Sequence, residues 1–312
     1  RVYYTMGMYA DFDTHVAEWV NSLRSKLSRG VHTPHEFVAL DHLLHDMRLY
    51  KSRAEISAMR KSAKIAVAAH KRAMQMTRPG IFEYEVEAEF RHEFRRNGAW
   101  TSYNPIVGGG ANGCTLHYVE NRDELKDGDL LLIDAGCELD YYASDITRTF
   151  PVNGRFSPEQ RAVYEIVLEA QLAAIEKTVK GNHWNDPHDA AVRVITKVLR
   201  DLGLLKGTLP TLIKDGAYRP FYMHRTGHWI GIDVHDVGDY KVGDEWRVLE
   251  TGMVTTVEPG IYIPNKRNIP KAFRNTGIRI EDDVAITNKG PDVLSKGLAK
   301  DPDDIEALMN AA

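Results

Sequence analysis

The chain has 312 residues, 43% of them hydrophobic and 27% charged, enough to bury a core in one large domain or two smaller ones. Its 40 basic and 44 acidic side chains are interspersed and sum to −4, which excludes a basic field for nucleic acid or an anionic membrane surface. No apolar run approaches the roughly 18 residues of a membrane span, and two cysteines, Cys114 and Cys137, are too few for a disulfide framework and fit a reducing, cytoplasmic compartment.

The chain opens at Arg1 with RVYYTMGMYADFD, which carries no signal-peptide pattern. Residues 1–46 read as the end of a small domain: a strand over 2–6, a helix over about 14–26 and an extended piece over 37–40. From Met47 the pattern turns helical, with Ile56, Met59, Ala63, Ile65 and Ala66 on a broad apolar stripe. A second helix follows in FEYEVEAEFRHEFRRNGA, where Phe82, Val86, Phe90 and Phe94 recur every four residues and Gly98 is placed to stop it. Strand-like pieces come next: SYNPIVG, DLLLIDAG and YYASDITRTFPV. In SPEQRAVYEIVLEAQLAAIEK, Ser157 is placed as an N-cap with Pro158 at the first helical position and Gln160 at the third, a full helix-start signature. VTTVEPGIYI and GIRIEDDVAIT are again strand-like. Helices mixed with hairpin-like strands predict an α+β fold rather than a doubly wound parallel sheet.

The strands carry misplaced charge. In LLLID, alternation puts Asp134 on one face with Leu130 and Leu132, and Asp145 follows in the next strand-like run. Taken alone, the two read equally well as acids flanking a hairpin turn. Two more acids leave strands, however: Glu258 shares a face with Val254 and Thr256, and Glu281 shares one with Arg279. MHRTGHWIGIDVHDVG adds His224, His228 and His235. Four carboxylates and an imidazole would make an oxygen-rich site suited to Mn²⁺, Co²⁺ or Zn²⁺, and four negative charges balance two divalent ions.

The runs IDAGCELDYYASDITRTFPV, MHRTGHWIGIDVHDVG, TVEPGIYI and GIRIEDDVAIT resemble aminopeptidase P, a branch of the dinuclear metallopeptidases with the pita-bread fold, which also includes prolidase, methionine aminopeptidase and the metal-free creatinase. The likeness runs from about residue 47 to residue 312. It implies a pita-bread catalytic domain over 47–312 after a partial creatinase-type N-terminal domain over 1–46. It also implies Asp134, Asp145, His228, Glu258 and Glu281 as ligands of two divalent ions, Mn²⁺ foremost. By the same resemblance, Asp145 and Glu281 bridge the ions, Asp134 chelates one, and His228 with Glu258 binds the other.

The expected reaction is hydrolysis of an N-terminal Xaa-Pro bond by a hydroxide held between the ions. Glu258 is the expected proton carrier, His235 the partner of the carbonyl oxygen, and His117 and His224 the lining of the proline side. Tyr262 is expected at the same cavity, and Arg279 is expected to hold a ligand carboxylate such as Asp134. Family members associate, so a homodimer or homotetramer is expected. The chain departs from the family at Arg225, which follows His224 where relatives carry glycine. Two other readings share parts of this pattern: a prolidase, with the same ligands and dipeptide substrates, and an inactive pita-bread binding module, which the intact ligand set disfavours.

RHEFRR lacks the second histidine of a zinc-protease helix, and VGGGANG lacks the lysine of a phosphate loop. The glycine run instead reads as a place where backbone approaches the site near His117.

Overall fold

The structure, a computed structural model, describes residues 1–311. The chain divides into two compact units, Arg1–Arg48 and Leu49–Ala312. In the first, Val2–Tyr3 pairs in parallel with Phe37–Val38, and the helix Ala10–Arg24 lies between them in sequence. Both strands and this helix stop short of their sequence-predicted ends. Among the described residues no helix is long and apolar enough to cross a membrane.

The second unit opens with a signature that the helical pattern concealed. Ser52 and Glu55 exchange hydrogen bonds as a capping box, so the helix Arg53–Met76 starts there rather than at Met47, which lies in the last turn of the preceding helix Asp41–Leu49. The predicted start at Ser157 is present, with the Ser157 hydroxyl accepting from the Gln160 amide and the Gln160 side chain accepting from the Ser157 amide. The amphipathic helix Asp186–Asp201 and the short helices Leu209–Lys214 and Pro302–Asn310 complete the set.

All strand pairs of this unit are antiparallel. One three-stranded sheet has the order Ile106–Gly109, Leu130–Asp134, Thr147–Pro151, and another the order Val254–Val257, Asp282–Thr287, Gly290–Val293. Between them lies the pair Gly260–Ile263 and Thr276–Arg279. The amide of Glu281 donates to the carbonyl of Thr147 at 3.1 Å, and the Arg279 amide donates to the Thr149 hydroxyl at 3.1 Å, which ties the halves together. Leu131, Ile133 and Phe150 turn to the helices, where they meet Ala66, Phe90, Phe94 and Val167 in the main core. Each such large side chain contributes about 1.5–3 kcal/mol through burial. The opposite face holds Leu132 with Ile106, Tyr118 and Tyr262, and it faces the site.

The glycine run has the role read for it. A Cβ on Gly277 would lie 2.1 Å from the carbonyl oxygen of Gly113, so the loop that leads to His117 rests directly on backbone. The four acids expected to ligate metal sit where strands stop. Asp134 ends its strand, Asp145 falls between Tyr142–Ala143 and Thr147–Pro151, Glu258 follows Val254–Val257, and Glu281 precedes Asp282–Thr287. The sequence reads as continuous strand through each of these positions, and the breaks free their side chains from strict alternation.

Candidate metal centre

Asp134, Asp145, His228, Glu258 and Glu281 all line one cavity of about 560 Å³, together with His117, His224, His235 and Arg279. Ligand atoms of Asp145, His228 and Glu281 lie within 4.8 Å of one another. His228 Nε2 is 3.4 Å from Asp145 Oδ2 and 3.6 Å from Glu258 Oε1.

Each group is aimed by its neighbours. The Thr147 hydroxyl donates to Glu281 Oε2 at 2.6 Å, and the Thr256 hydroxyl donates to Glu258 Oε1 at 3.2 Å. His228 Nδ1 faces the carbonyl of Trp229 at 2.9 Å, which directs Nε2 at the acids. The His228 segment lies close against Val254–Val257 because Gly227 has no side chain; a Cβ there would stand 2.1 Å from the Thr256 carbonyl oxygen.

Arg279 is buried and spends its guanidinium on the site. It donates to Asp134 Oδ2 at 2.5 Å, to the Tyr262 hydroxyl at 2.9 Å and to the Thr147 hydroxyl at 3.1 Å. Tyr262, expected at the cavity wall, is only 2% exposed and reaches the site through His224, whose Nε2 lies 2.9 Å from the Tyr262 oxygen. His224 Nδ1 lies 2.8 Å from the Arg225 carbonyl, so both of its ring nitrogens are engaged. His235 packs edge-on against His228 with ring centres 4.2 Å apart. His117 holds a left-handed backbone at φ 56° and lines both the main cavity and an adjoining recess of about 220 Å³ beside Tyr103 and His235.

The electrostatics show a shortage of positive charge. Burial pushes Asp134 up to about 6 against the pull of Arg279, and pushes Glu258 up to about 7 against His228 and Arg279. Burial together with Asp145 and Glu258 raises Glu281 well above the carboxylate range. At Asp145 burial acts the same way, but the hydrogen bond and charge of His228 overcome it and hold that carboxyl low. Burial would lower His228, yet its pairing with Asp145 and Glu258 raises it to about 9. Burial, helped by Arg279, depresses His224 to about 3, and burial with the His228 cation lowers His235. Four acids facing one arginine and one imidazole are relieved by added cations, and a donor set of carboxylate oxygens with one imidazole nitrogen fits hard or borderline divalent metals.

Three polar residues here escaped the sequence reading. The Tyr103 hydroxyl lies 2.5 Å from both Asp134 Oδ1 and Asp145 Oδ1, and Asp283 Oδ2 accepts from the Asp145 amide at 3.1 Å. Thr147, the third, carried a signal that could have found it, because alternation places it two residues after Asp145. Nothing in SYNP marks Tyr103. Leu116, Trp184, Tyr240 and Trp246 form further cavity wall.

Residues 57–288 match the model of metallopeptidase family M24. The chain belongs to this family. The M24 chain is 48% identical to the Xaa-Pro aminopeptidase of Escherichia coli over 312 residues, covering all of itself and 70% of that protein. It is 53% identical to the Xaa-Pro aminopeptidase of Haemophilus influenzae over 86% of itself and 62% of that protein. Its structure superposes on Pseudomonas aeruginosa aminopeptidase PepP with a TM-score of 0.97 at 58% identity, covering all of this chain and 71% of that one. The expected family and the mixed helix-and-sheet pita-bread architecture are thus borne out, and membership of a metallopeptidase family together with the Asp145, His228 and Glu281 cluster supports divalent metal binding.

Proposed function

We propose that this M24 chain carries the catalytic centre of a metal-dependent aminopeptidase that hydrolyses the N-terminal Xaa-Pro bond of peptides. The observation that carries the reading is the convergence of Asp134, Asp145, His228, Glu258 and Glu281, from separate segments, on one cavity beside three further histidines. The names of the E. coli and H. influenzae relatives support the same substrate class.

The five residues would hold two divalent ions, with Mn²⁺ favoured by the preponderance of oxygen donors. When bound, the ions supply water activation at neutral pH and polarisation of the scissile carbonyl. Glu258, fixed by Thr256, takes the proton of the attacking water and delivers it to the prolyl nitrogen, which as a tertiary amide nitrogen must be protonated to leave. His235 faces the carbonyl oxygen as negative charge develops on it. His117 and His224 line the proline side, and because both nitrogens of His224 are engaged, its contribution is to shape that wall. Arg279 holds Asp134, and Tyr262 holds His224.

The first unit is proposed as the end of a creatinase-type N-terminal domain. A homodimer or homotetramer is proposed on the apolar side chains Met8, Tyr9, Phe12 and Trp19 that this unit leaves exposed, with light scattering as its test. A cytoplasmic location is supported by the free thiols of Cys114 and Cys137.

The deciding experiment offers an Xaa-Pro-Yaa tripeptide and the matching Xaa-Pro dipeptide, at equal concentration, to metal-stripped protein reconstituted with Mn²⁺. Release of Xaa from the tripeptide, abolished by chelation and by Glu258→Gln, is expected. A preference for the dipeptide would reassign the chain as a prolidase, and inactivity on both with two ions bound would refute the peptidase reading.

A further inference from the structure

Around the mouth of the cavity the charge changes sign. Its floor carries the four acids, whereas the fixed cations of its lining are Arg225 and Arg279. Arg279 is buried and already bonded to Asp134, Tyr262 and Thr147. Arg225 is exposed, and its Nη2 donates to the neutral side-chain oxygen of Asn185. Its guanidinium carbon stands 5.0 Å from the centre of the Trp246 ring, and Lys241 Nζ stands 4.8 Å from the same ring. Among the described residues neither Arg225 nor Lys241 has an ion-pair partner.

Two cations sharing one indole, neither held in an ion pair among the described residues, form a receptor for an anion. The position says which anion. Arg225 directly follows His224, whose Nδ1 is 3.7 Å from Glu258 Oε2, so it flanks the side on which proline and the residues after it leave. A short peptide carries an ammonium at one end and a carboxylate at the other. An acidic floor and a cationic rim match that polarity. We infer that Arg225, braced by Asn185 and Trp246 and assisted by Lys241, selects substrates bearing a carboxylate downstream of the proline, either the C-terminal α-carboxylate of a short peptide or an acidic side chain. The inference rests on the aminopeptidase reading above and adds to it a discrimination among Xaa-Pro peptides.

The test compares kcat/KM for Xaa-Pro-Ala as free acid and as C-terminal amide, and for Xaa-Pro-Gly-amide against Xaa-Pro-Glu-amide. The Mn²⁺-loaded native chain should prefer the carboxylate-bearing member of at least one pair by about tenfold, mostly in KM, and the pair that shows it identifies the source of the carboxylate. In Arg225→Gln the ratio should fall to about one, and Lys241→Gln should lower it partway. Raising the salt from 0.05 to about 0.5 M should compress the native ratio, because the rim is exposed. An independent reading uses metal-free protein: Trp246 fluorescence titrated with Pro-Ala and with Pro-Ala-amide should report tighter binding of the acid, lost in Arg225→Gln. Equal ratios in native and Arg225→Gln protein, with Xaa released from all four peptides, would overturn this inference and leave the aminopeptidase reading standing. No release from any peptide would remove both.

Discussion

Replacing Arg148 with Met should cost the catalytic unit about 5 kcal/mol, and the structure shows where that figure comes from. The guanidinium is fully buried and donates to Asp282 Oδ1 at 2.7 Å, to the carbonyls of Glu281 at 2.6 Å, Thr147 at 2.9 Å and Ala299 at 3.0 Å, and more weakly to Leu298 at 3.4 Å. Methionine fills the space of the stem and removes every donor. Asp282 would retain Lys300 at 3.0 Å, Gln171 at 2.7 Å and Ser295 at 2.6 Å, so the broken pair costs about 3 kcal/mol, the low end of the range for a buried partner loss. The Thr147 carbonyl keeps the Glu281 amide, whereas the carbonyls of Glu281 and Ala299 are left bare at about 1 kcal/mol each. Equilibrium urea unfolding, followed by far-UV circular dichroism and by the buried Trp229, measures the loss. With a slope of about 3 kcal/mol/M the midpoint should fall by about 1.7 M. Arg148→Lys, which keeps the charge and loses the fork, should fall between. A shift under about 0.3 M for Arg148→Met would refute the reasoning, because it would mean that water or Lys300 replaces the guanidinium at no net cost.

Other outcomes follow from the same geometry. Tyr103→Phe removes the hydroxyl shared by Asp134 and Asp145 and should weaken Mn²⁺ binding by about 10–100-fold with little change in melting temperature of the metal-free protein, as read by calorimetric titration. Gly277→Ala should destabilise the metal-free protein by about 2 kcal/mol or more, because the added methyl would press on Gly113 backbone that no rotamer change can move, and differential scanning calorimetry would register it. Saturating Mn²⁺ at about 1,000 times its dissociation constant should stabilise the chain by about 4 kcal/mol and raise the melting temperature by about 10 °C, an effect that chelator reverses. A melting temperature indifferent to metal would contradict the proposed ligand set.

The chemistry of the site was more legible than its support. Acids in strand-like runs are conspicuous because burial makes charge costly, so Asp134, Asp145, Glu258 and Glu281 stood out beside His224, His228 and His235, and the resemblance to aminopeptidase P singled out His228 among the histidines. The points at which those strands break were not legible. DITRTF and IRIEDD alternate without a turn residue, and each is interrupted by a bond to a segment more than a hundred residues away: the Asp145 amide to Asp283, and the Glu281 amide to Thr147. Arg148 and Asp282 likewise read as ordinary strand charges, and only tertiary pairing shows them to be among the most buried ions in the chain. Ser52 and Glu55 did carry a readable capping box, which the helical pattern read from Met47 onward masked.

The position of the ligands at strand ends on two halves of the sheet means that neither half owns the site. Asp134 and Asp145 belong to the half built from residues 106–151, whereas His228, Glu258 and Glu281 arrive with the half completed after residue 226. Between them the chain turns at the glycines Gly203 and Gly207, in a loop that joins two helices and lines no part of the cavity. A chain cut in that loop would yield one fragment with two acids and another with two acids and a histidine, each an incomplete chelate. Their reassembly would be reported, and tightened, by the ion itself, which makes this fold a natural framework for a split protein whose complementation is metered by divalent metal.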